Sequence, residues 1–427
     1  RSNDSFLYNS HSHSCLFACF GLFLLATASA ATIHFCTTAI HILVYSLDNG
    51  FADTPIFVKA ALTFLQTGNL YDMSEPLKNT YFPGSETYKF PPLYILSYLP
   101  WLSRENGIPA DIYNILFMLH LLRYIVTICL SILFFGTKSF SWALAVTSIY
   151  FLAGPFYESL YGLTFDSLLL TLLIVAYILK KHRLATAGLL MYSILAKLYP
   201  APLLLYYLQK FHNKKQTWLL LAGTAIAITL IATLATGINV QQIYFVKILP
   251  IILDAETLLS NYNLSFIAKL YAEGIPVIFS RLFFLAASIG IILTIKECRI
   301  ENNTDALIWG FCISTTVLLI PNCWGNHQTI LLLPIIILLG HAWDPKQRSR
   351  TAAGLAAAAA WAPLTASANY PLLDLGYTDY IAPGIFDQLI YFRNFSALIL
   401  WVGTFFILLS QNHKSFRELF FLEKTTS

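Results

Sequence analysis

Long apolar runs recur along this chain, and they constrain its fold more than any other feature. Several are about 20 residues long, which is the length that a helix needs to cross about 30 Å of hydrocarbon. Only 11% of the 427 residues are charged, whereas a soluble domain carries about 25%. Unbroken runs of Leu and Ile also argue against a β-barrel, because the strands of a barrel alternate. The sequence therefore predicts an all-α polytopic membrane protein.

We expect about 11 or 12 transmembrane or partly spanning helices in a single domain, 1–427. The first, at 15–47, is expected to be a retained span rather than a cleaved signal, and 91–102 is expected to be one more short helix. The candidate spans are the apolar stretches 15–47, 111–135, 140–153, 163–179, 184–208, 218–235, 275–295, 305–320, 327–339, 351–366 and 395–409.

Clusters of Lys and Arg orient these spans, because cytoplasmic loops carry an excess of positive charge. The clusters lie at 180–183, 210–215, 346–350 and 414–424. The sequence thus predicts a multi-pass protein of the plasma membrane, with a loop at 154–162 and the segments 48–110, 237–274 and 368–394 on the extracytoplasmic side. A net charge of +4 comes from these loops and does not indicate a nucleic-acid partner.

One apolar stretch conflicts with this orientation. The basic clusters at 180–183 and 210–215 both look cytoplasmic, yet only the stretch 184–208 separates them. Its segment "ILAKLYPAPLLL" contains Pro200 and Pro202, which interrupt helical hydrogen bonding. We expect two short helices that enter and return, with Lys197 deep in the membrane, where a charge usually has a function. The alternative is one kinked span with Lys197 snorkelling.

The loop after the first span begins with Asp53, followed by a predicted helix at 54–66. Pro55 suits its first turn, and Gly68 suits its C-cap. The helix is expected to lie in the membrane interface, because its apolar residues recur at spacings of three and four. These residues are Ile56, Phe57, Ala60, Ala61 and Phe64. The double proline Pro91–Pro92 then opens the next helix.

The order of these elements resembles polyprenyl-phosphate-dependent glycosyltransferases of family 87, a C-type class that includes mycobacterial mannosyltransferases. The resemblance rests on Asp53, then "GNLYD" at 68–72, then "YKFPPL" at 88–93. It continues through "YGLTFDS", "LAKLYP", "NYNLS" and "PNCWGNHQ" to about Pro334. "LTFDS" departs from the Gly-Gln or Gly-Asn that is common in the family, so contacts from that span are expected to differ.

The resemblance implies that a hexose, mannose being the best guess, moves from a polyprenyl phosphate to a hydroxyl of a lipid or glycan. Asp53 would be the general base of this inverting transfer, although Asp53 also suits the N-cap of the following helix. His327 would bind the leaving phosphate or the sugar; the alternative is an interfacial histidine with a backbone partner. Neither a metal nor a cofactor is expected.

Several cations and polar residues are candidates for binding the donor. For the phosphate they are Lys89, Lys197, Lys269, Arg281 and Arg393, because a phosphate leaving group needs positive charge around it. Asn263, Asp166 and Trp324 are candidates for substrate contacts. For Asp166 and the nearby Glu158 a capping role or a solvated turn is the alternative, and for Trp324 an interfacial anchor is.

Two other functions remain open at this stage. A transporter or flippase of lipid-linked sugars would use the same broken helices and deep charges, but normally as a pair of interrupted segments. The sequence shows one clear interruption, at Pro200 and Pro202. A membrane subunit without activity is the other alternative.

Overall fold

The computed structural model describes residues 4–49, 54–71, 90–96, 110–211, 214–250, 263–295, 302–320, 323–347, 349–366 and 392–411. Within these ranges every regular element is a helix, which confirms the predicted all-α class for the described part of the chain. The helices are α1 (Asp4–Asn49), α2 (Thr54–Thr67), α3 (Pro92–Ile95), α4 (Ala110–Phe134), α5 (Phe140–Phe151), α6 (Gly154–Gly162), α7 (Asp166–Ile178), α8 (Arg183–Lys197), α9 (Leu203–Lys210), α10 (Lys214–Thr236), α11 (Ile238–Ile243), a π-helix (Tyr244–Ile248), α12 (Phe266–Ala272), α13 (Val277–Ile295), α14 (Asn302–Leu319), a 3₁₀-helix (Gly325–Leu331), α15 (Leu332–Trp343), α16 (Arg350–Ala366) and α17 (Ser396–Gln411).

Every candidate span is mostly helical, 184–208 as two helices, but few of the described helices are long enough to cross a membrane alone. In the described residues four are both long and apolar enough, or five if one bent pair counts as a span. The four are Cys19–Val44, Tyr113–Phe134, Lys215–Thr236 and Gly325–Trp343. The remaining apolar helices are shorter, so the chain has fewer complete spans by length than apolar stretches. The fold is compatible with an integral membrane protein.

The stretch 184–208 folds as two helices, as predicted from its prolines. Helix α8 has 15 residues and α9 has 8, which makes them about 22 and 12 Å long. Lys180 and Lys210 flank the pair, and both bind the carboxylate of Asp305, at 2.5 and 2.9 Å. Because Lys180 and Lys210 both contact Asp305, the segment between them begins and ends at the same end of the molecule. Lys197 lies at the tip of this hairpin.

The stretch 154–162 is a helix rather than the loop that we expected. Pro155 stands in the first turn of α6, where proline is well tolerated, and Phe156, Tyr157 and Leu160 are buried. Helix α6 follows α5 with a bend of 55°. Phe156 and Tyr157 pack inside the protein, and their burial stabilises a helix where the topology predicted a loop.

Helix α2 and the "GNLYD" segment after it confirm the predicted helix and its cap. Gly68 has a φ of +73°, and its N–H donates to Phe64 O at 2.8 Å. The apolar face of α2 is covered by protein, since Phe57 is fully buried and its ring lies 5.0 Å from that of Tyr94. Helix α2 therefore packs onto α3 through the face that we expected to lie in the membrane interface.

Candidate functional site

Asp166 and Lys197 form a buried ion pair where two helices meet. Asp166 is the first residue of α7 and Lys197 the last of α8, and Lys197 Nζ lies 2.7 Å from Asp166 Oδ2. Their side chains are 0% and 2% exposed. The Tyr199 hydroxyl donates to the other carboxylate oxygen, Oδ1. Lys197 therefore does not snorkel, and Asp166 does not lie in a solvated turn.

Strained backbone flanks both members of this pair. Leu163 has a φ of +48° and Leu198 a φ of +47°, and they are the only non-glycine residues with positive φ in the described part of the chain. A non-glycine residue in such a conformation costs about 1–3 kcal/mol and persists only where its surroundings hold it. Leu163 lies three residues before Asp166 and Leu198 directly follows Lys197. The fold thus maintains strain on both sides of the ion pair.

His327 joins the pair from the 3₁₀-helix. Its ring lies 5.5 Å from that of Tyr199, within electrostatic range of Asp166. Its ring Nδ1 accepts from the backbone N–H of Trp324 at 3.2 Å. The backbone N–H of His327 donates to the carbonyl oxygen of Trp324 at 3.0 Å. A neutral imidazole whose Nδ1 accepts carries its proton on Nε2. We call Asp166, Lys197, Tyr199 and His327 the central cluster.

Helix α3 braces the central cluster from the first loop. The ring of Phe90 lies 5.2 Å from Lys197 Nζ, within the range of a cation–π contact. The Tyr71 hydroxyl holds Phe90 by donating to its carbonyl at 2.8 Å. On the other side, the Phe165 N–H donates to Tyr94 Oη at 3.1 Å. Tyr71, Phe90 and Tyr94 therefore pack against the segments that carry Lys197 and Asp166.

Arg393 is buried in a network of hydrogen bonds and one ion pair next to the central cluster. Its Nη1 lies 2.5 Å from Glu158 Oε1, its Nε donates to Gln328 Oε1 at 2.5 Å, and its Nη2 donates to Gly325 O at 3.0 Å. A Cβ on Gly325 would lie 1.3 Å from Glu158 Oε2, so only glycine allows this approach. Phosphate binding by Arg393 stays a prediction, and the phosphate would have to share the guanidinium with Glu158.

Asn263 ties the "NYNLS" segment to the chain before the 3₁₀-helix. Its Oδ1 accepts from Ser265 N at 2.9 Å and from Cys323 N at 3.0 Å. Burial raises the pKa of the Cys323 thiol to about 12, so this thiol is protonated at neutral pH and is a poor nucleophile. Asn263 is 1% exposed, and its side-chain oxygen has a structural role.

A mostly apolar pocket lies beside the central cluster. Pro91 and Leu198, the neighbours of Phe90 and Lys197, both line it. Its far wall comes from α10 and the π-helix, where Tyr244 and Phe245 lie, and π-helical turns are frequent at functional sites. Phe245 is 48% exposed.

The structure places the other predicted residues as follows. Asp53 and Lys89 lie outside the described residues. Lys269 on α12 and Arg281 on α13 are half-buried, as is Trp324 before the 3₁₀-helix. Sequence reasoning gave no role to Tyr199 or Phe90, although each adjoins a residue already singled out, in "KLYP" and "FPP". Among the described residues no three His, Cys, Asp or Glu side chains converge on a possible metal position.

No family model matches this chain, and no curated protein matches its sequence.

Proposed function

We propose that the chain is a membrane glycosyltransferase that moves a hexose, mannose being the first choice, from a polyprenyl phosphate to a lipid or glycan hydroxyl. One observation supports this most. Described residues of four separate motifs, Phe90 of "KFPPL", Asp166 of "LTFDS", Lys197 and Tyr199 of "LAKLYP" and His327 of "CWGNHQ", meet at the central cluster, and Tyr71 of "GNLYD" holds Phe90 there. These motifs are segments that carry the resemblance to family 87, and they lie far apart in sequence.

The chemistry of the central cluster suits a phosphate leaving group. The acceptor oxygen attacks the anomeric carbon, the carbon–oxygen bond to phosphate breaks, and the electron pair goes to the phosphate. Lys197 supplies positive charge in a setting with little water, where charge stabilisation is strong. Asp166 and Tyr199 hold this ammonium group in place. The Nε2–H of His327 is a hydrogen-bond donor for a phosphate oxygen.

Asp53 is the proposed base that takes the proton of the acceptor hydroxyl. An Asp with an ordinary pKa is ionised at neutral pH, and α2, which follows Asp53, packs on α3 beside Lys197. We further propose the C-type architecture with an extracytoplasmic active site. The apolar pocket beside Lys197 then receives the first part of the prenyl chain, and the acceptor approaches from the side of α2.

The test is transfer from labelled polyprenyl-phosphate mannose, and from a panel of other hexoses, by purified protein in proteoliposomes. Asp53→Asn is expected to lower transfer about 10²–10⁴-fold, the range for a general base, and His327→Leu about 10²–10³-fold, the range for the loss of one donor to a developing oxyanion. His182→Leu is the matched control, because His182 is exposed at the opposite end of α8. Full transfer by Asp53→Asn would exclude Asp53 as the base. No transfer by the wild type with any hexose would contradict the proposal.

A flippase of lipid-linked sugars is the second candidate, and the structure offers an observation in its favour. Transporters typically show interrupted helices in pairs. The described chain contains the bent pair α5–α6 and the returning pair α8–α9. A fluorescent polyprenyl-phosphate sugar that crosses proteoliposomes with wild-type protein, without transfer to any acceptor, would favour this candidate.

A further inference from the structure

A second buried aspartate lies at the end of the molecule opposite the central cluster. Asp305, near the start of α14, is 1% exposed. Its Oδ2 lies 2.5 Å from Lys180 Nζ and its Oδ1 lies 2.9 Å from Lys210 Nζ. The Tyr206 hydroxyl also donates to Oδ1, at 2.9 Å. We call Asp305, Lys180, Lys210 and Tyr206 the basal cluster.

The basal cluster carries more positive than negative charge. One carboxylate faces two ammonium groups, whose side chains are 17% and 28% exposed. Lys181 is exposed beside them and Arg183 is half-buried. Burial lowers the pKa of Lys180, and the nearby charges of Lys210 and Lys181 lower it further, although Asp305 opposes this. An anion at this position would relieve the repulsion between the three lysines.

Large apolar side chains extend from the same place. The Arg183 Nη1 donates to Gln216 Oε1 at 2.8 Å, which joins the start of α8 to the start of α10. Directly after these residues, Leu184 is 64% exposed and Trp218 is 57% exposed. Cations at the edge of an exposed apolar surface match a phospholipid, whose charged headgroup and apolar chains lie end to end.

We propose that the basal cluster, with Lys181 and Arg183, binds the phosphate of an anionic phospholipid whose acyl chains lie along Leu184 and Trp218. Lys180 also donates to the Tyr177 hydroxyl at 2.8 Å, which leaves it one ammonium hydrogen, and Lys210 keeps hydrogens beyond the one that binds Asp305. A phosphodiester oxygen accepts these hydrogens. Asp305, held by Tyr206, brings the two lysines together. This lipid site is independent of the proposed glycosyl transfer, which takes place at the central cluster.

The test compares lipids on the purified full chain in detergent, by native mass spectrometry and by thermal unfolding. We expect phosphatidylglycerol to be retained and to raise the unfolding temperature, and phosphatidylcholine to do neither. Lys181→Gln and Lys210→Gln should each weaken phosphatidylglycerol retention about fivefold, since a basic residue near an anionic surface contributes about that much. Lys346→Gln, which removes an exposed cation from another loop, should leave retention unchanged.

Two outcomes would overturn the proposal. One is equal retention of phosphatidylglycerol and phosphatidylcholine, or equal retention by the wild type and the Lys181→Gln/Lys210→Gln double variant. The other is equal protection by glycerol 3-phosphate or inorganic phosphate at matched concentration, which would show a soluble-anion site without a role for acyl chains. The unfolding curve without lipid verifies that each variant is folded.

Discussion

The central and basal clusters use the same residue types in two different ways. Each has a buried aspartate bound by a lysine and a tyrosine, and α7, about 20 Å long, connects one to the other. In the central cluster one lysine balances one aspartate, and both side chains are at most 2% exposed. In the basal cluster two partly exposed lysines share one aspartate.

Because of this difference, the charge of Lys197 has a fixed position, whereas the charges of Lys180 and Lys210 are accessible to a ligand. Lys197 has no alternative partner in bulk water, so its position is determined by Asp166, Tyr199 and the packing of Phe90. Lys180 and Lys210 can turn toward solvent or toward an anion. A buried pair is costly to break because the remaining charge is left uncompensated, whereas a partly exposed pair is replaced by water at little cost.

The largest expected difference comes from removing one lysine of each cluster. Lys197→Met leaves Asp166 buried without its counter-charge, and we expect the free energy of unfolding to fall by about 3–5 kcal/mol. Lys210→Met leaves Asp305 with Lys180 and Tyr206, so we expect a fall of less than about 1 kcal/mol. Thermal or denaturant unfolding in detergent measures both. Equal losses would remove the distinction between the clusters.

The next effect concerns the network of Arg393, Glu158, Gln328 and Gly325 beside the central cluster. Gly325→Ala should push Glu158 away from Arg393, because the added Cβ would overlap Glu158 Oε2, and it should cost about 1–3 kcal/mol. Gly188→Ala is the matched control, on α8, which runs from Arg183 to Lys197. A Cβ there meets nothing within 4 Å, and alanine is the better helix former by about 1 kcal/mol. An unchanged free energy of unfolding for Gly325→Ala would show that the Glu158 side chain moves aside at no cost.

The two tyrosines allow a finer comparison. Tyr199→Phe removes a hydrogen bond from the buried Asp166 Oδ1, and we expect a loss of about 1–3 kcal/mol. Tyr206→Phe removes a similar bond from Asp305 Oδ1, which still has Lys210, and we expect about 0.5–1 kcal/mol. The same unfolding measurement applies. A larger loss for Tyr206→Phe would mean that the basal carboxylate depends on its tyrosine more than on its lysines.

The smallest expected effect is a dependence on salt. Raising the ionic strength from about 0.05 to 0.5 M shortens the screening length severalfold. The destabilisation by Lys210→Met should then shrink by a few tenths of a kcal/mol, because Lys210 is partly exposed. The destabilisation by Lys197→Met should not change. If salt weakens both effects alike, water and ions reach the central cluster.

Local sequence patterns predicted most of the helices but not the ion pairs between them. The basic clusters around 184–208 and the prolines at 200 and 202 were enough to predict two short helices with Lys197 between them. The partner of Lys197 was not predictable in this way, because Asp166 lies 31 residues away on another helix. Glu158 and Arg393 are 235 residues apart, and no local pattern links such positions. Ion pairs of this kind depend on how helices pack.

The prediction for 154–162 failed for a related reason. Gly and Pro at the start of this segment are typical of a turn, but Pro155 also suits the first turn of a helix. The choice between loop and helix depended on whether Phe156 and Tyr157 found a place inside the protein. Both are buried in the fold, which stabilises the helix. The residues that cover them lie elsewhere in the chain, so the local sequence does not show them.

The most direct test of the account measures hexose transfer from polyprenyl phosphates by the wild type, His327→Leu and His182→Leu side by side. His327→Leu removes the Nε2–H donor without leaving a buried charge, so the variant is expected to fold. We predict transfer by the wild type and His182→Leu at similar rates, and a loss of about 10²-fold or more for His327→Leu. Wild-type transfer by a folded His327→Leu variant would contradict the claim that the central cluster holds the leaving phosphate.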